Sequence, residues 1–187
     1  MKAIILAAGY GDRMKPLTNN AHKTMLKIDG QLIIARIIKS LIENNVLKMV
    51  IVTGYRADDL VDYINKKFCD IENIAFEFVH NARYRETNNI YSLAMAFDHT
   101  EIDGDILLIE SDIIYDNQVI RRAIETSYDN IALISRYKAG MEGTVVKISG
   151  DLITEVIPPH LQYALFRIFQ IPVGRLRSPH RKGLFLK

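Results

Sequence analysis

The segment with the clearest chemical potential is residues 6–18, which reads LAAGYGDRMKPLT. Four small residues follow a short apolar run in it: Ala7, Ala8, Gly9 and Gly11. Small residues directly after a strand allow backbone N–H groups to approach a triphosphate that larger side chains would keep away. Arg13 adds a guanidinium with several donors for phosphate oxygens. The spacing matches neither a Walker A loop nor a GxGxxG dinucleotide motif, so neither kind of site is supported.

Charged residues farther along the chain would suit the same kind of site. Lys23 can offset negative charge on a phosphate, although taken alone it is more often a solvated side chain. Glu110 and Asp112 follow the apolar run 106–109. Side chains two positions apart on a strand point the same way, and carboxylate oxygens suit Mg²⁺. The other interpretation of this acidic pair is a solvated turn.

A third segment, residues 81–93 (NARYRETNNIYSL), is rich in asparagine. The amide of Asn offers both a donor and an acceptor, which can match the edge of a nucleobase. Asn88 and Asn89 precede an apolar helical pattern, and a helix N-terminus favours anionic groups nearby. The alternative is that Asn88 simply caps the helix, and both roles can hold together.

These strings together resemble the nucleotidyltransferase superfamily that makes sugar nucleotides and CDP-alcohols. Residues 6–18 are similar to its signature LxxGxGxRM-x-PLT, and Lys23 matches the lysine that follows, with His22 in place of the usual proline. The asparagine-rich string resembles the bacterial cholinephosphate cytidylyltransferase branch and related enzymes acting on aminoethylphosphonate. Asp112 aligns with the family's metal-binding aspartate, whereas Glu110 stands where the family usually has another aspartate.

The resemblance implies a fold, an activity and a set of site residues. The fold would be α/β, with a Rossmann-like, mostly parallel sheet and helices on both faces. The activity would be Mg²⁺-dependent transfer of CMP from CTP to a small phosphorylated alcohol or phosphonate, with release of pyrophosphate. Arg13, Lys23 and Asp112 would be catalytic, and Asp112 and Glu110 would bind the metal. The residues expected to contact the nucleotide are Leu6, Ala7, Ala8, Gly9, Tyr10, Gly11, Arg13, Lys23, Tyr84, Asn88 and Asn89.

Two other functions remain open at this point. One is a sugar-1-phosphate nucleotidyltransferase, and the other is a nucleotide-binding protein with impaired catalysis. For a choline-bearing acceptor, aromatic rings would be expected around the ammonium group, and the candidates are Tyr84, Tyr91, Tyr115 and Tyr137. The chain has no Trp, which favours ethanolamine-like or aminoethylphosphonate acceptors. Residues 141–144 (MEGT) resemble a segment near the family's acceptor pocket, or form a simple turn.

The elements that would position these residues alternate between strands and helices, which predicts parallel βαβ units. Ligands in such sheets bind beyond the carboxyl ends of the strands, where all of these motifs fall. The predicted strands are residues 2–6, 48–53, 74–79, 106–109 and 131–134, followed by a hairpin of 145–148 and 152–157. The predicted helices are residues 34–42, 58–68, 88–97 and 119–124.

Composition limits what can be expected of localisation, membrane spanning and metal binding by histidine. The chain has 187 residues, one cysteine (Cys69), a net charge of +2 and no apolar run long enough to span a bilayer. With no signal peptide pattern, we expect a cytoplasmic protein, and homodimerisation is left open. The five histidines lack metal-ligand spacing, and no role is predicted for them.

The predicted domain organisation is a nucleotidyltransferase domain over residues 1–159 and a basic, apolar tail over 160–187. The tail has six Lys or Arg and no acidic residue, which leaves residues 1–159 with a net charge of −4. Such a tail can bind RNA or anionic lipid. The favoured interpretation is a truncated, altered or frame-shifted end, or a short helix outside the core, so no nucleic-acid partner is expected. Because no acidic residue follows Glu155 to supply the family's late metal ligand, we expect nucleotide binding with poor turnover.

Overall fold

The computed structural model describes residues 1–136, 143–158 and 169–176. Two short 3₁₀ helices, Asp12–Met14 and Lys23–Met25, lie in the first loop region. Within the described residues the other elements are, in order, β1 (Lys2–Ala7), β2 (Lys27–Ile28), β3 (Gln31–Leu32), α1 (Ile33–Glu43), β4 (Lys48–Thr53), α2 (Ala57–Phe68), β5 (Ala75–His80), α3 (Asn89–His99), β6 (Ile106–Glu110), α4 (Asn117–Glu125), β7 (Asn130–Arg136), β8 (Val145–Ser149), β9 (Leu152–Ile157) and β10 (Phe169–Leu176).

The parallel half of the main sheet has the strand order β5-β4-β1-β6. β1 lies between β4 and β6, and its residue Leu6 aligns with Val52 on one side and Glu110 on the other. All six residues of β1 are buried, as expected for a parallel strand covered on both faces. The chain moves from β1 outward to β4 and β5 and then returns to β6. This reversal places a topological switch point beside the carboxyl end of β1, where ligands bind in open α/β sheets.

The other half of the sheet is antiparallel. β10 pairs with β6, β7 and β8, and β8 and β9 form a hairpin at Gly150. Gly150 has a φ of 58°, a backbone conformation that glycine adopts without strain. β2 and β3 form a separate two-stranded ribbon before α1. This half extends the sheet away from β1.

The helices cover both faces of the sheet because successive strand residues point to opposite sides. Ile5 and its same-face neighbours pack with the apolar residues of α1, α2 and α4, whereas Ile4 and Leu6 pack with Ala96 of α3. The α1 stripe predicted from helical spacing is buried: Ile34, Ile37, Ile38 and Leu41. Each such side chain contributes roughly 1.5–3 kcal/mol when fully buried.

The structure confirms the predicted α/β class, with a parallel central sheet and helices on both faces. The strand predicted over 74–79 runs over Ala75–His80, and the β8–β9 hairpin appears where it was expected. No helix in the described part of the chain is both long and apolar enough to cross a membrane. The fold therefore brings the carboxyl ends of β1, β4 and β6 to one edge.

β10 has no counterpart among the predicted elements. Its residues 169–176 lie in the sheet between β6 and β8, rather than in a helix outside the core. Pro172 lacks the N–H that a strand interior donates, and the pairing with β7 shifts register between Gln170 and Val173. A strand interrupted in this way shows little of the usual alternation in its sequence. The domain boundary at residue 159 stays a prediction.

Candidate active site

The loop that leaves β1 is held close to Lys23. A Cβ added to Gly9 would lie 3.5 Å from Lys23 Nζ. Gly11 has a φ of 66°, and a Cβ there would lie 3.0 Å from Thr18 Cγ2 and 3.1 Å from Lys23 Cβ. Any other residue at Gly11 would therefore meet both backbone strain and crowding. Thr18 Oγ1 donates to the Gly11 carbonyl at 2.8 Å, which closes the loop.

Lys23 connects this loop to the end of β6. Its Nζ donates to Asp112 Oδ2 at 2.9 Å, and its side chain is only 15% exposed, against 39% for Asp112. The stem of Lys23 runs past Gly9 and Gly11, so its ammonium group reaches the carboxylate at the edge of the sheet. Three positions separated widely in the sequence thus meet at one point, as the motifs predicted. The structure does not support a freely solvated Lys23.

Glu110 lies near Asp112 but has a different partner. Asn89 Nδ2 donates to both carboxylate oxygens of Glu110, at 2.9 Å each. Burial raises the pKa of Glu110, and the nearby charge of Asp112 raises it further, while Lys23 and the Asn89 hydrogen bond oppose the shift. The two carboxylates are therefore close enough to repel each other. They form an acidic pair stabilised by one cation and one amide.

Asn88 caps α3. Its side-chain oxygen accepts a hydrogen bond from Tyr91 N at 3.2 Å, and its backbone is extended. The capping interpretation is therefore observed. Contact with a nucleobase stays a prediction. Asn89, one residue later, turns towards Glu110 instead.

Tyr84 belongs to an aromatic group beside the loop. Its ring centroid lies 6.4 Å from that of Tyr10 and 6.2 Å from that of Tyr55, and both pairs are tilted. Arg85 Cζ lies 5.7 Å from the Tyr84 centroid. The structure thus brings Tyr10 and Tyr84, both predicted to contact nucleotide, to the same side of the first loop.

The other tyrosines proposed for an acceptor cage lie elsewhere. Tyr91 packs under Arg83, whose Cζ is 5.7 Å from its centroid. Tyr115 packs against the core on the α1, α2 and α4 side, and burial raises the pKa of its hydroxyl well above the ordinary value. Tyr137 and residues 141–142 lie outside the described residues, so the expectation for the segment 141–144 is untested.

The remaining sequence-predicted residues divide between the core and the loop surface. The side chains of Leu6, Ala7 and Ala8 are buried, so only their backbone groups could contact a ligand. Arg13 is exposed on the 3₁₀ helix Asp12–Met14, which continues the loop. Among the described residues, no cluster of three or more His, Cys, Asp or Glu could hold a metal ion. The acidic pair of Glu110 and Asp112 stays the predicted metal site.

Sequence reasoning missed Gly54 and Tyr55, which follow β4. A Cβ on Gly54 would lie 2.6 Å from Ala8 O and 2.7 Å from Tyr84 Cβ, so only glycine fits. Tyr55 N donates to Ala8 O at 3.1 Å, and Tyr55 Oη donates to Asn19 O at 3.1 Å. The available signal was a glycine directly after a parallel strand, at the edge of the sheet where ligands bind.

Sequence reasoning also assigned no role to His22, which is fully buried. Its Nε2 lies 2.8 Å from Ala7 O and its Nδ1 accepts from Thr24 N at 3.1 Å. Burial is the main cause that lowers its pKa to about 4; the hydrogen bond to Ala7 O opposes the shift, and the charges of Lys23 and Arg56 add to it. The signal that could have found it was a histidine beside Lys23, in place of the family's proline.

Most of the chain matches a known protein family. Residues 2–143 match the family model described as nucleotidyl transferase. The chain belongs to this nucleotidyl transferase family. The match covers the first loop, Lys23, the asparagine segment and the acidic pair, and it ends within the segment 141–144.

Several curated relatives are similar in sequence to this chain. The choline-phosphate cytidylyltransferase of Haemophilus influenzae is 36% identical over 185 residues, which cover 98% of this chain and 67% of that protein. The 2-aminoethylphosphonate cytidylyltransferase of Lancefieldella rimae is 33% identical over 120 residues, covering 63% and 45%. The UTP–glucose-1-phosphate uridylyltransferase of Haloferax volcanii is 29% identical over 164 residues, covering 84% and 64%. The chain thus spans about half to two thirds of the length of these relatives.

A solved structure agrees on the fold. The inositol-1-phosphate CTP transferase of T. maritima superposes with a TM-score of 0.74 at 20% identity, covering 94% of this chain and 70% of that one. At this level of identity the likeness establishes the fold alone. The predicted resemblance to the cytidylyltransferase branch is confirmed by the curated relatives.

Proposed function

We propose that this chain transfers CMP from CTP to a small phosphorylated alcohol or phosphonate and releases pyrophosphate. The observation that carries the proposal is the position of Lys23 Nζ, between the glycine loop and Asp112 at the end of β6. The similarity to cytidylyltransferases for choline phosphate and aminoethylphosphonate supports CTP as the donor.

The reaction needs no protein nucleophile and no general base. An oxygen of the acceptor's phosphate or phosphonate is already ionised at neutral pH, because the second pKa of a phosphate monoester is about 6. That oxygen attacks the α-phosphorus of CTP, a new P–O bond forms, and the bond to pyrophosphate breaks. Catalysis then depends on positioning and on charge stabilisation along an in-line displacement.

The chain's own residues provide both contributions. Gly9 and Gly11 have no side chains that could keep a phosphate away from the backbone, and Lys23 lies directly beside Gly9. In the free protein, Asp112 holds the Lys23 ammonium in place. When a triphosphate enters, the ammonium would pair with a phosphate oxygen and offset the charge that develops on the leaving pyrophosphate. Arg13, on the same loop, would contribute a second cation.

The acidic pair fits a divalent cation. Glu110 and Asp112 lie near each other, and after burial their mutual repulsion is the next cause of the raised pKa of Glu110. These two carboxylates would hold Mg²⁺, which would supply positive charge to offset that of the triphosphate. Asn89 would hold Glu110 in orientation, and Asp112 would be the principal ligand. Asn88, Tyr84 and Tyr10 would contact the cytidine.

For the acceptor, the aromatic groups near the site favour a primary ammonium over a quaternary one. Of the candidate tyrosines within the described residues, Tyr84 and Tyr91 each already face a guanidinium and Tyr115 packs in the core. A cage for choline needs open ring faces. The expected acceptors are therefore aminoethylphosphonate or phosphoethanolamine before phosphocholine.

A pyrophosphate-release assay tests the proposal. The purified chain is incubated with Mg²⁺, each of CTP, UTP, dTTP and ATP in turn, and a panel of aminoethylphosphonate, phosphoethanolamine, phosphocholine and glucose 1-phosphate. We expect CTP with one of the first three acceptors to give the highest rate. A higher rate with UTP or dTTP and glucose 1-phosphate would instead support the sugar-nucleotide alternative, to which the uridylyltransferase relative points.

Calorimetry on the same protein distinguishes nucleotide binding from catalysis. If calorimetry detects CTP binding but no acceptor yields product, the chain is a nucleotide-binding protein without turnover. In that case binding measured without Mg²⁺ should be unchanged in Asp112→Ala. The matched control is Asp62→Ala, an exposed acid on α2.

A further inference from the structure

The buried ring of His22 links two parts of the candidate active site. On one side it reaches the carbonyl of Ala7, the last residue of β1, at 2.8 Å. On the other side it meets Thr24, whose N–H is 3.1 Å from Nδ1 and whose hydroxyl is 2.7 Å from it. Thr24 belongs to the 3₁₀ helix Lys23–Met25, which carries Lys23. A single side chain thus joins the start of the glycine loop to the turn that presents the lysine.

The hydrogen-bond pattern assigns the tautomer. The backbone N–H of Thr24 can only donate, so Nδ1 must accept and carries no proton. Nε2 therefore holds the ring proton and donates it to Ala7 O. Ala7 and Thr24 accordingly contact the two nitrogens of a neutral ring.

The bond to Ala7 O has a consequence for the loop. In a trans peptide the N–H of the next residue points opposite to the carbonyl, so fixing Ala7 C=O also fixes the direction of Ala8 N–H. Tyr55, in the turn after β4, fixes the next peptide group in the same way. Its N–H donates to Ala8 O at 3.1 Å, and this contact orients Gly9 N–H. The first two amides of the loop are thus held by His22 and Tyr55.

From this geometry we propose that His22 is a positioning residue for the phosphate-binding part of the site. It holds Ala8 N–H and the Lys23 turn in a fixed relation, so that the amide and the ammonium group can bind the same triphosphate. His22 itself would not touch the substrate. The inference rests on the proposed function for its ligand, but its structural part concerns the free protein.

Two substitutions of His22 each remove one of the two contacts of its ring. His22→Gln places an amide N–H near the position of Nε2 and keeps the donor to Ala7 O, but it lacks the acceptor for Thr24. His22→Asn keeps an acceptor for Thr24 N, as a good N-cap residue, but is too short to reach Ala7 O. Both variants remove one contact of the same buried residue. His99→Gln, at the exposed end of α3, serves as the control.

The first measurement is the NMR spectrum of the backbone amides of the full chain, recorded without ligand. We expect the Ala8 amide resonance to shift in His22→Asn and to stay near its wild-type position in His22→Gln and His99→Gln. An unchanged Ala8 resonance in His22→Asn would overturn the proposal. This result does not depend on any substrate.

The second measurement is the affinity of each variant for CTP and for cytidine. It is made at a temperature well below the unfolding midpoint of that variant. We expect His22→Asn to bind CTP about tenfold more weakly, His22→Gln to stay within about threefold of the wild type, and cytidine affinity to be unchanged in both. Equal losses for CTP and cytidine, or losses that follow stability alone, would make His22 a purely structural residue. If the wild type binds no CTP while the Ala8 shift is observed, the proposed function fails and the positioning of the loop stands.

Discussion

Asn89 donates its side-chain N–H groups to both carboxylate oxygens of Glu110, at 2.9 Å each. This contact ties the first turn of α3 to the end of β6, on the side of the sheet where Asp112 pairs with Lys23. The residues come from two motifs that are 21 positions apart. The two asparagines of the pair therefore have different contacts. Asn88 caps the helix, whereas Asn89 binds Glu110.

Asn89→Ala should therefore lower turnover and also reduce stability, because the hydrogen bonds to Glu110 are already present in the free protein. Glu110 would lose its orienting donor, and hydrogen bonds to charged groups are worth roughly 1.5–3 kcal/mol, which corresponds to a loss of about tenfold or more in kcat/KM. Pyrophosphate release and thermal unfolding measure the two effects. The control is Asn65→Ala on the exposed side of α2. Equal activity of the two variants would contradict a role for the Asn89–Glu110 contact.

Lys23→Met should reduce kcat/KM by about a hundredfold or more, since it removes the cation that balances both Asp112 and the triphosphate. The methionine retains much of the apolar stem beside Gly9 and Gly11, so the chain should stay folded. Steady-state kinetics with circular dichroism provides the measurement. Lys39→Met, on the exposed face of α1, is the matched change. A variant with wild-type kinetics would remove Lys23 from the catalytic group.

Gly54→Ala should destabilise the chain by roughly 1–3 kcal/mol, in the range for overpacking a tight contact. The added Cβ would meet Ala8 O at 2.6 Å and Tyr84 Cβ at 2.7 Å, neither of which is the end of a flexible side chain. The loop would have to move, so CTP affinity should fall as well. Gly104→Ala is a direct control because nothing lies within 4 Å of its added Cβ. Denaturant unfolding of both variants should separate them, and equal midpoints would show that the Gly54 contact is not tight.

Stability should decrease as the pH is lowered from about 6.5 towards 4. His22 has a pKa of about 4 when folded and an ordinary value of 6.5 when unfolded, so between these values only the unfolded chain takes up the proton. The loss approaches about 3 kcal/mol at the lower limit and is absent above the ordinary value. Burial lowers the pKa of His22 most and the charges of Lys23 and Arg56 lower it as well, while the Ala7 hydrogen bond and the charge of Asp59 raise it.

Urea unfolding at several pH values measures this effect, with His22→Gln as the comparison. The Gln variant has no ring to protonate, so its free energy of unfolding should fall less steeply over the same interval. Parallel curves for the two proteins would show that His22 does not control the acid sensitivity. The carboxylates titrate in both proteins and therefore cancel in the difference.

Much of the fold could be predicted from local patterns. Lys48–Thr53 shows a continuous apolar run, and α1 shows apolar residues at helical spacing, so each pattern indicates both the element and the face it buries. β10 could not be predicted, because Pro172 and the register shift hide its alternation and because its stabilisation comes from β6 and β7. Pairing between strands distant in sequence leaves no local signal.

For the site, the sequence by itself determined which chemical groups are present: a glycine loop after β1, a lysine, an asparagine pair and an acidic pair after β6. The sequence also placed Glu110 and Asp112 close together, at the last residue of β6 and two residues beyond it. Only the tertiary structure decided their partners. Lys23 pairs with Asp112, Asn89 binds Glu110, and the buried ring of His22 spans Ala7 and Thr24. These contacts depend on how β1, β6 and α3 meet at one edge of the sheet, because packing between distant segments sets distances that no local sequence pattern encodes.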